Sequence, residues 1–239
     1  MIQLTPGLKR MALALTVAIS AGVFSITPAT AQNQQMEQKL MAIKNAQAAN
    51  KQKLAQYTWT ETEAIAIKGD VKDTKTYQVQ MVNGKAQKTL VNDQKASSGG
   101  GREGRVKERV VDKKKAEYQE YGQSIGALAK QYTTPNPEAL MAAKQAGNLS
   151  LQPGAGTVSL VIKNYVKPGD SVTMTISEAT HSPVSVQVNS YLDDPKDAVT
   201  ISAQFAQLPD GTNHVATTTT TGVSKELTVN DQNSNYQKH

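Results

Sequence analysis

Thr157-Val158-Ser159-Leu160-Val161-Ile162-Lys163 and Ser171-Val172-Thr173-Met174-Thr175-Ile176-Ser177 are the two stretches that decide the fold. Val158, Leu160 and Ile162 fall on every second position of the first. Val172, Met174 and Ile176 do the same in the second, between Ser and Thr. A period of two is that of a β-strand with one dry and one wet face. Pro168-Gly169-Asp170 lies between them as a turn signal, so the two strands pair antiparallel. The rhythm continues downstream. Val184, Val186 and Val188 follow Ser182-Pro183, and Val199, Ile201, Ala203 and Phe205 follow Asp193-Asp194-Pro195. Pro209-Asp210-Gly211 leads into a Thr-rich strand through Thr217 to Thr221, and Val223, Leu227 and Val229 form the last strand. Residues 157–230 therefore read as an antiparallel meander with one face to be covered.

Upstream, Gln32 to Gln56 contains neither Gly nor Pro, and Met36, Leu40, Ile43, Gln47, Asn50 and Leu54 recur at helical spacing. The period then changes. Tyr57, Trp59, Ile65 and Ile67 mark a strand ending at Lys68-Gly69-Asp70, and Thr74 to Val82 marks a second. Asn83-Gly84 is a strong hairpin signal, after which Ala86 to Val91 pairs back. Residues 92–104 lack any period and read as a flexible loop. A helical insertion over 105–147 follows: a charged helix to about Tyr121, a bend at Gly122 to Gly126, continuation to Tyr132, and a third helix from Pro137 to Gly147-Asn148. Strands and helices in separate runs define an α+β fold, a curved antiparallel β-sheet (an open half-barrel) covered by about three helices.

The first 31 residues read as a signal peptide. Lys9 and Arg10 precede the apolar run Met11 to Ile26, Pro28 breaks the helix, and Ala29-Thr30-Ala31 supplies the small-x-small cleavage pattern. Cleavage there leaves residues 32–239 as a single α+β domain in the periplasm, long enough to bury a sizeable core. No further apolar run approaches membrane length. The chain has no Cys, which excludes disulfides, thiolate metal sites, a Cys nucleophile and a lipidated Cys. The whole sequence carries 26 Lys+Arg against 20 Asp+Glu, and without Lys9 and Arg10 the excess falls to four. In an exported protein that balance favours anionic lipid or cell-wall polymer over nucleic acid.

Motifs with catalytic associations fail on context. Gly122-Gln123-Ser124-Ile125-Gly126 matches G-x-S-x-G, with Asp193, Asp194 or Asp197 and then His214 behind it in the order used by hydrolases. A nucleophile elbow needs a buried strand before the Ser, whereas Lys113 to Glu120 is charged and helical. His181, His214 and His239 are far apart and never at i, i+4, so no His metal site is expected. Asp193-Asp194-Pro195-Lys196-Asp197 lacks the ligand spacing of a calcium loop and reads as an Asp-capped turn. Gly99 to Gly104 lacks the Lys-Ser/Thr ending of a P-loop. Neither catalysis nor a cofactor is implied.

Two surfaces are candidates for binding. Arg105, Arg109, Lys113 and Lys114 belong to a basic helical stretch suited to an anionic membrane surface or an acidic patch on an envelope protein, or to a plain solvated face. Val158, Leu160, Val172, Met174, Val186, Ile201 and Phe205 point to one face of the meander. With one Trp and two Phe, that face is built from aliphatic and Met side chains, adaptable fillers of a core or of an acyl-chain pocket.

An N-terminal helix, a long hairpin, a helical insertion and then a meander resemble the periplasmic lipoprotein carriers, the LolA/LolB-like half-barrels. Lys167-Pro168-Gly169-Asp170, Tyr191-Leu192-Asp193-Asp194-Pro195-Lys196-Asp197 and Leu208-Pro209-Asp210-Gly211-Thr212-Asn213 are similar to segments of exported bacterial proteins with no assigned activity. The carrier resemblance implies a non-enzymatic protein whose concave apolar face takes lipid or lipoprotein acyl chains beneath a helical lid. The alternative is a structural or interaction module with a filled core that binds an envelope protein or polymer.

Overall fold

The computed structural model describes residues 31–95, 105–133 and 137–239. Residues 1–30, most of the stretch read as a signal peptide, the Gly-rich stretch 96–104 and residues 134–136 lie outside them. Helix α1 (Ala31–Leu54) leads into strands β1 (Tyr57–Ile67), β2 (Asp70–Val82) and β3 (Lys85–Lys95). Helices α2 (Arg105–Thr133) and α3 (Pro137–Gln145) follow. The meander comprises β4 (Leu149–Pro153), β5 (Thr157–Lys163), β6 (Ser171–Ser177), β7 (Pro183–Tyr191), β8 (Ala198–Gln207), β9 (Asn213–Gly222) and β10 (Leu227–Lys238).

All ten strands form one antiparallel sheet in the order β3-β2-β1-β10-β9-β8-β7-β6-β5-β4. The hairpin strands join the meander where β1 pairs with β10, Glu63 opposite Asp231 and Ile65 opposite Val229. Edges remain at β3 and β4, so the sheet is an open half-barrel of the expected α+β class. Asn83 (φ 52°) and Gly84 (φ 73°) both take the left-handed conformation that a two-residue hairpin turn requires. Among the described residues no helix is long and apolar enough to cross a membrane.

Several boundaries differ from the sequence reading: β2 begins at Asp70, ahead of Thr74, and Val223 is exposed in the turn before β10 and not part of the last strand. β3 continues through Asn92, Asp93, Gln94 and Lys95, pairing them with Thr76, Lys75, Thr74 and Asp73, so the loop does not begin at 92. α2 is continuous from Arg105 to Thr133, because Gly122, which is buried, and Gly126 are tolerated within a helix that packs on the sheet. β4 precedes the expected meander and pairs Leu149 to Pro153 with β5. β10 runs on to Lys238, well past Val229.

The helices lie on the inner face of the sheet. Ile43 of α1, Tyr121, Ile125, Leu128, Ala129 and Tyr132 of α2 and Ala143 of α3 share one buried cluster with the inward side chains of β1 and β5–β10. Gly222 ends β9 beneath α2. A Cβ there would sit within contact distance of Ile125 Cδ1 and 2.7 Å from the Tyr121 ring, so only Gly allows the helix this close.

Candidate functional site

Val158, Leu160, Val172, Met174, Val186 and Ile201 all belong to the main buried cluster, with Phe205 half-buried against it. Strict alternation carries each of them inward, and antiparallel pairing sets Leu160 opposite Met174 and Met174 opposite Val186. Burying such a side chain contributes about 1.5–3 kcal/mol, so this face supplies much of the stability.

The helices are fastened to the rim of the sheet by polar side chains. Tyr121 donates its hydroxyl to Asp197 Oδ1 at 2.6 Å, on the β7–β8 turn. Tyr132 donates to Asp170 Oδ2 at 2.6 Å and lies 2.7 Å from the Ser190 hydroxyl. Asp170 also accepts the backbone N–H groups of Tyr165, Val166 and Lys167, which fixes the β5–β6 turn that presents it. Desolvation, with the hydrogen bond to Asp197, pushes the Tyr121 phenol up to about 12. At the opposite rim, Asn50 of α1 exchanges two hydrogen bonds with the backbone of Asn213, at 2.8 and 2.6 Å.

A band of buried charge crosses the same inner face. Along β1, Tyr57, Trp59, Glu61, Glu63, Ile65 and Ile67 all point inward and all are buried. Asp73 and Lys75 of β2 and Asp231 of β10 join Glu61 and Glu63 in the interior. Thr218, Asp231, Glu63 and Lys75 stand directly opposite one another on four successive strands. Two ammonium groups serve this band: Lys88 of β3 is ion-paired with Glu61, and Lys75 Nζ lies 2.9 Å from Asp73 Oδ2. Glu63 Oε1, Asp73 Oδ1, both Asp231 carboxylate oxygens and the hydroxyls of Thr218 and Thr220 have no hydrogen-bond partner. Burial raises the carboxyl groups of Glu61 and Glu63 above their usual range, and that of Asp231 well above it.

Below the band lies a second apolar cluster of Trp59, Tyr77 and Val79, with Met81, Ala86 and Tyr236 against it. Trp59 stacks on Tyr236 at 5.4 Å and donates its indole N–H to Asn233 Oδ1 at 3.0 Å. The His214 ring is 4.2 Å from that of Tyr236, and burial lowers its pKa. The charged band thus separates two apolar clusters on one surface.

The remaining candidate residues are dispersed. Ser124 sits inside α2, exposed, with its hydroxyl donating to the Glu120 carbonyl at 3.1 Å, which is helical geometry and not an elbow. Asp194 Oδ1 accepts the Lys196 N–H at 2.9 Å and so caps its own turn. Among the described residues no group of three His, Cys, Asp or Glu side chains is arranged to hold a metal ion. Arg105, Arg109, Lys113 and Lys114 occupy the N-terminal part of α2, with Lys114 exposed. The sequence conceals the charged band, because Glu61 and Glu63 interrupt the apolar pattern between Trp59 and Ile65. Unbroken alternation through β1 was the signal that places them inward.

These features define an open antiparallel half-barrel with helices laid across its inner face. No protein-family model matches the sequence, and no curated protein does. Among solved structures the chain is similar to a domain named for outer membrane lipoprotein sorting from Vibrio parahaemolyticus, with TM-score 0.42, 9% identity, and 85% of this chain and 93% of that one covered. It is also similar to a DUF1329 family protein from Desulfovibrio piger, with TM-score 0.40, 9% identity, and coverage of 84% and 92%. A LolA superfamily protein from Nitrosomonas europaea gives TM-score 0.35, 9% identity, and coverage of 80% and 93%. Likeness at this level concerns the course of the chain alone.

Proposed function

We propose that this chain is a non-enzymatic periplasmic carrier, or binding protein, for lipid, lipoprotein or another apolar envelope ligand. The observation that supports this reading is how the apolar face is covered. Val158, Leu160, Val172, Met174, Val186 and Ile201 form one continuous surface, overlaid by separate helices that are tied to the sheet through rim hydrogen bonds. Releasing the Tyr121 and Tyr132 bonds would let α2 lift and expose that surface without breaking a strand pair. An acyl chain would then take the place of Ile125 and Leu128. The basic N-terminal part of α2, carrying Arg105, Arg109, Lys113 and Lys114, would meet the anionic membrane surface or an envelope partner.

A second reading, an interaction module with a filled core, draws on the same packing. Ile125 and Leu128 are almost fully buried against the sheet, so the face is occupied by the chain's own side chains. Native mass spectrometry of the full chain, expressed with its own N-terminus and gently purified, separates the two. Co-purified lipid, or uptake of phospholipid offered in micelles, is the expected result. A bare mass that persists after lipid is offered would remove the carrier reading and leave the interaction module.

A further inference from the structure

The charged band has more carboxylates than cations. Glu61, Glu63, Asp73 and Asp231 are each at most 4% exposed, and the ammonium groups paired with them are those of Lys75 and Lys88. Lys88 is ion-paired with Glu61 and Lys75 with Asp73, while Glu63 and Asp231 stand opposite one another across the β1–β10 pair, the Lys88 charge near both and that of Lys75 near Glu63. Directly opposed residues on one face hold their Cβ atoms about 4.5–5.5 Å apart, so these two carboxyl groups share one small space. Three of their oxygens, Glu63 Oε1 and both of Asp231, accept no hydrogen bond. Independently of the acids, Thr218 and Thr220 turn hydroxyls into the same interior with exposure of 1% and no partner. Thr218 stands opposite Asp231. Buried polar groups in native proteins are normally satisfied, and so many orphans in one place point to an absent donor.

The geometry points to a subsite for a primary ammonium group between Glu63 and Asp231, taking the head of an aminolipid whose acyl chains lie along the adjoining apolar face. The placement of the chains rests on the carrier reading above. The placement of the ammonium does not.

Three observations favour an ammonium over other donors. The band already accepts two of them: the Lys88 ammonium pairs with Glu61 and lies 5.5 Å from the centre of the Tyr77 ring, an aromatic face that attracts cations. An –NH₃⁺ group has three donors, matching the three unpartnered oxygens of Glu63 and Asp231. A divalent metal would need further ligating side chains, and among the described residues no group of three His, Cys, Asp or Glu side chains is arranged to hold one. Position supplies the remaining selectivity. Along β1 the acids lie between Trp59 and Ile65, so an ammonium in the band has apolar surface immediately on either side. An amphiphile can therefore keep its cation and its chain buried together.

The test uses the full chain with three probes followed by native mass spectrometry and calorimetry: phosphatidylethanolamine, phosphatidylglycerol and octylammonium. Phosphatidylethanolamine is expected to bind at least tenfold more tightly than phosphatidylglycerol. Asp231→Asn and Glu63→Gln, which keep shape and remove charge, are expected to erase that preference and to abolish octylammonium binding. Circular dichroism and urea unfolding confirm that each variant is folded. Equal uptake of both lipids, unchanged in the variants, would overturn the subsite while leaving the carrier reading intact. Octylammonium binding that depends on Asp231, without lipid uptake, would support the subsite and sink the carrier reading. Absence of binding by any probe would overturn both.

Discussion

The Tyr132 hydroxyl donates to Asp170 Oδ2 across 2.6 Å, and this bond fastens the C-terminal end of α2 to the β5–β6 turn. The same carboxylate holds that turn through three backbone N–H groups, so one side chain both shapes the rim and anchors the helix. Replacing Tyr132 with Phe removes the anchor and leaves the turn intact. A hydrogen bond to a charged group is worth about 1.5–3 kcal/mol, and the urea midpoint should fall accordingly with little change in slope. Asp170→Ala should cost more, because it also orphans the turn. Equal losses in the two variants would mean that Asp170 does not organise the turn.

Gly222→Ala tests how closely α2 is seated. The new methyl group would press on Ile125 Cδ1 and the Tyr121 ring. Overpacking of this kind costs about 1–3 kcal/mol. Ile125 can swing away but the Tyr121 ring cannot compress, so the strain should appear as faster hydrogen exchange in α2 around residues 118–130 while β5–β8 stay protected. Exchange that rises evenly through sheet and helix would show that α2 does not open as a separate unit.

How far the sequence reveals this protein depends on what each inward position meets. β5 to β8 were legible because Val, Ile, Leu and Met alternate with Ser and Thr against an aliphatic core. The β2–β3 hairpin was legible because Asn83-Gly84 is the chemistry its turn demands. The second half of β10 was not. Its inward residues after Val229 are Asp231, Asn233 and Tyr236, which face the charged band and the Trp59 cluster, so hydrophobic periodicity vanishes where the strand continues. β4 escaped because it is five residues long and ends on Pro153. For the candidate site, the seven apolar positions could be read from alternation. Glu61 and Glu63 obey the same alternation, yet burying them and Asp231 runs against the composition of ordinary cores, so apolar character gives no sign of them.

Ser124 allows a direct test of whether the G-x-S-x-G motif in α2 carries hydrolase chemistry. Its hydroxyl bonds the Glu120 carbonyl within α2 and is exposed, so Ser124→Ala should change stability by less than about 0.5 kcal/mol. Any esterase activity measured with p-nitrophenyl esters should be the same in the variant and the parent. A drop in that activity would reinstate the serine as a nucleophile.

Asp231→Asn should stabilise the unliganded protein at alkaline pH and flatten the dependence of its stability on pH. Burial first, then the neighbouring Glu61 charge, raises the Asp231 carboxyl above its usual range, and burial likewise raises Glu61 and Glu63. Each of these groups in the folded protein therefore keeps a proton at pH values where the unfolded chain, with carboxyls near the ordinary ~4, has released it. The native state binds more protons across that window, so stability falls as pH rises from ~4 through the folded-state pKa values. Lys88 and Lys75 narrow the window without closing it, since desolvation is the larger cause. Two other groups act in the opposite sense. His214, lowered by burial, loses stability as pH falls below its ordinary ~6.5, and Asp210, lowered by hydrogen bonds from Thr212 and Tyr57, does so only in stronger acid. Both remain in the variant, so subtracting its urea midpoints from those of the parent between pH 5 and pH 8 leaves the contribution of Asp231 and its coupling to Glu61 and Glu63. The amide removes a buried, unpartnered negative charge and should be more stable than the parent by about 1–3 kcal/mol at pH 8, with the difference shrinking towards pH 5. A constant difference across that range would mean that Asp231 is ionised throughout and already paired with a cation. A difference that grows towards acid would reverse the sign of the linkage and with it the claim that this carboxylate is unsatisfied.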